Sequence, residues 1–237
     1  MSDSDFFKKI LPRKNQAAKP LVLIACGSFS PITFMHLRLF ETARDYFSTL
    51  ESGYEVVGGI LSPVTDAYKK KGLVSAEHRM NMCRLAVESS DWLQVDDWES
   101  RHSEFVPTKL VLDHFHEVLN EGRPQGEPPF EVKLLCGADL LGTFAVPDLW
   151  AIEHQHKICG VYGIVALDRT GSNAKEIIFN NDILFKYQHN IFLVPQWIVN
   201  DVSSTKMRQL AKRGMSLKYL TPDPVVDYIA QHKLWQE

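Results

Sequence analysis

Three groups of side chains in this sequence carry the chemistry of an anion site. The first is Gly27-Ser-Phe-Ser-Pro31 followed by His36. A glycine lets the backbone turn tightly and approach a ligand closely, because no Cβ stands in the way. Pro31 suits a helix start, where a missing N–H costs little. The open N–H groups and positive dipole end of such a helix favour phosphate, and His36, in its first turns, can donate a hydrogen bond to the same group. The second is Ser203-Ser-Thr-Lys-Met-Arg208. Ser203 or Ser204 is a natural N-cap; hydroxyls and backbone N–H groups there can hold phosphate oxygens, and Arg208 can engage them bidentately. The third is the run Lys69, Lys70, Lys71 ahead of Gly72. Either helix start alone is compatible with an ordinary cap, and a lysine run alone with a solvated face. Together, in a fold that collects strand ends along one edge, they point to a nucleotide phosphate chain.

The elements that must position these groups read as alternating strands and helices. Apolar runs at 22–25, 54–61, 92–95, 130–136, 158–167 and 190–194 predict six strands. Several are apolar on both faces, as buried parallel strands are. Helical spacing predicts helices over about 33–49, 75–89, 105–119, 174–185, 203–213 and 225–234. A short helix starts at 140–144, ends before Pro147, and is followed by another opening at 148–150. The expected fold is α/β: a Rossmann-like open parallel sheet with helices on both faces and a C-terminal helical extension. The expected organisation is a flexible segment 1–19, with Phe6, Phe7, Ile10 and Leu11 in at most a short amphipathic turn, and one domain over 20–237. The Gly/Pro-dense stretch 120–129 reads as a surface loop, and no internal repeat is present. The glycine spacing of both the Walker A loop and the dinucleotide fingerprint is missing.

Composition narrows the classes further. A net charge of −3 argues against a nucleic-acid coat, which is usually basic. No apolar run approaches the roughly 20 residues that span a bilayer, and residues 1–19 do not fit a secretory signal. The four cysteines, Cys26, Cys83, Cys136 and Cys159, show no metal-ligand spacing, and three sit in strand-like runs as small buried hydrophobes do. A reducing compartment follows, cytosol or nucleus.

These motifs resemble the nucleotidylyltransferase superfamily, whose hallmarks are an [H/T]-x-G-H element and a late S-x-T-x-x-R element. Ser62-Pro-Val-Thr-Asp-Ala-Tyr-Lys-Lys-Lys-Gly72, Asp97-Trp-Glu-Ser100, Leu134-Leu-Cys-Gly-Ala-Asp-Leu140 and Asn200-Asp-Val-Ser-Ser-Thr205 narrow the resemblance. They are similar to the eukaryotic nicotinamide/nicotinic acid mononucleotide adenylyltransferases, from about residue 20 to the C-terminus. Thr33 and Met35 replace the first histidine and the glycine of the superfamily motif, and Phe105 stands where some relatives have tryptophan.

The resemblance implies adenylyl transfer from ATP to nicotinamide mononucleotide, with nicotinic acid mononucleotide as a second acceptor, giving NAD or its deamido form and pyrophosphate. The acceptor phosphate, already a dianion, needs no general base. His36, Lys206 and Arg208 are then the catalytic set. Gly27, Ser28, Phe29, His36, Asn200, Ser203, Ser204, Thr205, Lys206 and Arg208 hold ATP. Ser28, Lys70, Phe105, Thr108, Gly137, Asp139, Leu149 and Trp150 hold the mononucleotide. Trp150 suits stacking on a pyridinium ring, with Phe105 packing on the ring's other side; Lys70 suits a phosphate, and Asp139 a ribose hydroxyl. Trp98 and Glu99 are read as support for the pocket. Mg²⁺ is expected to ride on ATP and water without a protein metal site, and a homo-oligomer is expected. The competing readings are a nucleotidylyltransferase for another phosphate acceptor, such as phosphopantetheine or glycerol phosphate, and a chaperone-like binding protein of the same fold.

Overall fold

The computed structural model describes residues 9–49, 52–168, 173–198 and 200–236. Expectations for Phe6 and Phe7, for residues 169–171 of the loop after the fifth strand, and for Val199 lie outside these residues.

Six strands, β1 (Lys19–Gly27), β2 (Tyr54–Pro63), β3 (Leu93–Val95), β4 (Glu131–Gly137), β5 (Ile164–Asp168) and β6 (Ile191–Pro195), form one sheet in the order β3-β2-β1-β4-β5-β6. The β1–β4, β4–β5 and β5–β6 ladders are parallel, with Leu21 opposite Glu131 and Ile164 opposite Ile191. This is the doubly wound, Rossmann-like order, which reverses at β1. The helices interleaved with the strands are α1 (Phe34–Thr49), α2 (Ala76–Ala86), α3 (Thr108–Asn120), α4 (Asp139–Thr143), α5 (Ile152–Lys157), α6 (Ala174–Phe179), α7 (Asp182–Lys186), α8 (Ser204–Lys212) and α9 (Asp223–Gln231). None is long and apolar enough to cross a membrane.

The chain resolves into two compact units, each assembled from three separate segments. The first comprises Met1–Ala25, Leu39–Gly59 and Pro107–Val199. Its core is the continuous apolar run of β1 (Leu21, Val22, Leu23, Ile24), with Leu134 and Leu135 of β4 and the buried side of α3, Val111, Leu112, Phe115 and Leu119. Lys133 is buried among them. Its ammonium donates to the Tyr162 carbonyl (3.0 Å) and Asn190 Oδ1 (2.6 Å) and lies over the Tyr54 and Phe192 rings, and burial pushes its pKa down to about 8. Residues 9–18, expected to be flexible, are held along β2: the Leu11 N–H donates to the Val57 carbonyl, and the Lys14 and Asn15 amides donate to the Glu55 carboxylate.

The second unit comprises Cys26–Arg38, Ile60–Val106 and Asn200–Glu237. Ile60 and Leu61 of β2, Met80 and Cys83 of α2, Met207 and Ala211 of α8, and Val225 and Ile229 of α9 are buried in it. Ser75 caps α2 through the His78 amide, as its position predicts.

Several expected elements change. Ile158–Tyr162, read as the first half of a strand, is a π-helical turn continuing α5, closed by the Gly163 N–H on the Ile158 carbonyl (2.7 Å). Its buried residues, Ile158, Cys159 and Tyr162, follow helical spacing, which an all-apolar run disguises. Cys159 therefore lies in a helical turn; all four cysteines are free. The helix expected over 174–185 is two helices, because Asn181 accepts from the Ile183 and Leu184 amides and caps the second. The short helix expected to open at 148–150 opens at Ile152; Asp148, with φ +60, keeps the chain in a turn. The helix expected from 105 begins at Thr108, since Pro107 has extended backbone (ψ 139°). Pro31 is not at a helix start: it follows a cis peptide bond in a turn that runs to Thr33.

Candidate active site

All the residues expected to hold ATP fall in the second unit. β1 ends at Gly27, where a Cβ would lie 3.0 Å from the ring of Phe29, so the glycine is what lets Phe29 tuck under the turn. Phe29 is buried at φ 43 and meets His36 edge-on, ring centroids 5.2 Å apart. His36 is fixed from its other side by Thr33, whose backbone N–H donates to Nδ1 at 3.0 Å, with Oγ1 2.8 Å from the same nitrogen. An amide N–H can only donate, so Nδ1 is the acceptor and the proton of the neutral ring sits on Nε2. The backbone amide of Thr33 thus sets the tautomer of His36, with the Thr33 hydroxyl on the same nitrogen.

The helix start behind this turn does not offer the open amides the sequence implies. The Phe34 N–H donates to the Leu220 carbonyl (3.1 Å) and the His36 N–H to the Thr33 carbonyl (3.0 Å). Donors for an anion come instead from α8. Ser203 caps it by accepting from the Lys206 amide. Ser204 Oγ donates to the Pro31 carbonyl (2.8 Å), and Arg208 donates to the Ser30 carbonyl (2.8 Å) and to Thr205 Oγ1 (3.2 Å). These bonds fasten the two sequence motifs together and turn the half-buried Arg208 guanidinium along the β1 turn; burial lowers its pKa. Lys206 and Thr205 are exposed, and Asn200 uses Oδ1 to accept the Val202 amide, shaping the approach to α8.

The Lys69–Lys71 run lies on the loop between β2 and α2. Arg79, fully buried, organises that loop: it donates to the carbonyls of Val74 (3.1 Å) and Ser28 (3.3 Å) and pairs with Asp66 (3.0 Å), which also accepts the Ala76 amide. The Val74 N–H donates to Ser30 Oγ. Gly72, at φ +83, passes so close to Arg208 that a Cβ would stand 3.1 Å from Nε. The lysine loop, the β1 turn and α8 are therefore one assembly. Below it, Glu99 is buried and accepts from Ser62 Oγ; burial pushes its carboxyl up to about 7 against the lowering effects of that bond and of Arg79. Phe105 is half exposed and stacks on Tyr68, centroids 5.8 Å apart, planes at 28°.

The remaining expected residues, Thr108, Gly137, Asp139, Leu149 and Trp150, belong to the first unit. Thr108 opens α3 and Asp139, exposed, opens α4. Gly137 ends β4, and a Cβ there would meet nothing within 4 Å, so internal packing does not require this glycine. Trp150 stacks on Phe144 at 4.8 Å and 17°, and its indole N–H donates to Thr143 Oγ1 (3.0 Å), which locks the ring plane. Leu149 is 57% exposed beside it.

The sequence left Thr33, Arg79, Tyr68, Thr143 and Phe144 without a role. Thr33 and Tyr68 had a visible signal, their places in the quoted motifs. Among the described residues no group of three or more His, Cys, Asp or Glu side chains could hold a metal ion. Cations, hydroxyls and one oriented imidazole can bind a polyphosphate and stabilise charge developing on it.

Residues 24–210 match the cytidylyltransferase-like family. The chain is 44% identical over 256 residues to nicotinamide/nicotinic acid mononucleotide adenylyltransferase 1 of Bos taurus, covering 94% of this chain and 91% of the relative. It is 46% identical to the Arabidopsis thaliana nicotinamide/nicotinic acid mononucleotide adenylyltransferase, covering 92% and 90%. The Plasmodium falciparum nicotinic acid mononucleotide adenylyltransferase, solved in complex with NaAD, shares the fold with a TM-score of 0.64 at 20% identity over 91% of this chain and 97% of that one. The chain thus belongs to the nicotinamide/nicotinic acid mononucleotide adenylyltransferase family, within the cytidylyltransferase-like group.

Proposed function

We propose that the protein transfers the adenylyl group of ATP to the 5′-phosphate of nicotinamide mononucleotide, and of its nicotinic acid counterpart, releasing pyrophosphate and forming NAD or its deamido form. The observation that carries this reading is the fastening of α8 to the β1 turn through Ser204–Pro31 and Arg208–Ser30, on the turn that leads to His36. A phosphate dianion attacks the α-phosphorus and pyrophosphate departs in line, so the protein contributes positioning and charge stabilisation. His36, held with its proton on Nε2, donates to the α-phosphate as charge develops. Lys206 and Arg208 hold the β- and γ-phosphates, with Ser203, Ser204 and Thr205 framing them; Gly27, Ser28 and Phe29 form the floor and Asn200 serves the adenosine half. Mg²⁺ enters as part of MgATP, held by ATP and water.

For the acceptor, Lys70 of the second unit takes the phosphate with Ser28 of the same unit, and Thr108 and Gly137 of the first unit serve the mononucleotide. Asp139 takes a ribose hydroxyl. In the second unit Phe105 is backed by Tyr68, and in the first unit Trp150 is backed by Phe144 with Leu149 adjacent; each surface suits stacking on a planar pyridinium ring. Exposed apolar side chains such as Phe179, Phe185 and Trp197 support a homo-oligomer, and the four free thiols support a reducing compartment, cytosol or nucleus. The test offers MgATP with nicotinamide mononucleotide, nicotinic acid mononucleotide, phosphopantetheine or glycerol phosphate to the purified protein. Dinucleotide should form with the first two; turnover only with the others overturns the choice of acceptor.

A further inference from the structure

The loop that carries Lys70 has a fourth anchor that the chemistry above does not use. Beyond α9, the Leu234 N–H donates to the Ile229 carbonyl (3.1 Å) and its side chain is buried. On either side of it, Lys233 (φ +49) and Trp235 (φ +60) occupy the left-handed region. Two non-glycine residues in that region are costly unless their surroundings hold them there. Here the turn they make swings the half-buried Trp235 indole onto the loop, where its N–H donates to the Gly72 carbonyl at 3.0 Å. Gly72 is the residue whose backbone lies against Arg208 Nε. A hydrogen bond at this carbonyl restrains the Gly72–Leu73 peptide, which follows Lys70 and Lys71 directly in the loop and starts at the residue packed against Arg208.

We propose that Trp235 is a positioning residue for substrate phosphates, acting through Gly72 on Lys70 and Arg208 from the C-terminal turn. It touches no substrate itself. This rests on the adenylyltransferase reading for the identity of the substrates, though not for the coupling of the turn to the loop. Trp235→Phe keeps a ring and removes only the N–H donor. One neutral hydrogen bond corresponds to roughly a three- to tenfold effect. The KM for nicotinamide mononucleotide or MgATP should rise by about that factor, with kcat within about twofold and melting temperature held. Hydrogen exchange at the amides of residues 69–74 should quicken in the variant, a readout independent of turnover. Unchanged KM with unchanged exchange overturns the proposal. So does a loss of kcat that simply follows a loss of folded protein. If the unmodified protein makes no NAD, the adenylyltransferase reading falls, and the exchange comparison still decides whether Trp235 governs the loop.

Discussion

Two neighbours, Phe29 and Thr33, set the orientation of His36, the proposed charge stabiliser of the transfer. Phe29 closes one side of the ring and Thr33 occupies Nδ1, so the remaining ring nitrogen is the donor. A charge stabiliser of this kind contributes about 10²- to 10³-fold to turnover. His36→Ala should therefore lower kcat by that factor while costing only about 1–2 kcal/mol of stability, from the Thr33 amide left unpaired. Steady-state kinetics alongside urea unfolding checks both; a rate within tenfold of normal would show that His36 does not serve the transfer. The histidine, its turn and the hydroxyl-rich cap at Ser203 were legible because each is a local pattern. The Thr33 contact was not, because which ring nitrogen faces which residue depends on the path of the turn.

A buried guanidinium and the Val74–Ser30 hydrogen bond hold the loop between β2 and α2 to the β1 turn. Arg79 satisfies two carbonyls, Ser28 and Val74, and pairs with Asp66. A methionine there would fill the space and leave the carbonyls without donors, each costing about 1–3 kcal/mol. Arg79→Met should lose about 3 kcal/mol or more by denaturant unfolding, and kcat/KM should fall with it as Ser28 and the lysine loop separate; a loss under about 1 kcal/mol would remove Arg79 from this role. In the sequence Arg79 reads as a charged residue on a helix, and arginine is almost never fully buried unless paired. Its burial follows from long-range contacts that no periodicity records. The same holds for Gly72 and Arg208, distant in the chain and adjacent in space. The open parallel sheet and most helices were legible, whereas Ile158–Tyr162 was not, since an apolar run serves a buried helix and a buried strand equally.

Stability as a whole carries a pH signature from Glu99. Its carboxyl, ordinarily near 4.5, is pushed to about 7 by burial, so the folded chain holds that proton more tightly than the unfolded chain does. The advantage is full in acid and is lost as pH rises between those values, so this residue makes the fold less stable across that window, by about 3 kcal/mol at most. Glu99→Gln cannot ionise. Its melting temperature relative to the unmodified protein should climb by several degrees from about pH 5 to about pH 8; parallel profiles would mean that Glu99 ionises in the fold without penalty.

The central claim is that an adenylyl group passes intact to a phosphate acceptor. Phosphorus NMR of the purified protein with MgATP and nicotinamide mononucleotide tests it most directly. The expected result is loss of the mononucleotide's phosphate signal with growth of the NAD diphosphate signals and an equal amount of pyrophosphate. Formation of ADP or AMP with the mononucleotide signal unchanged would contradict it.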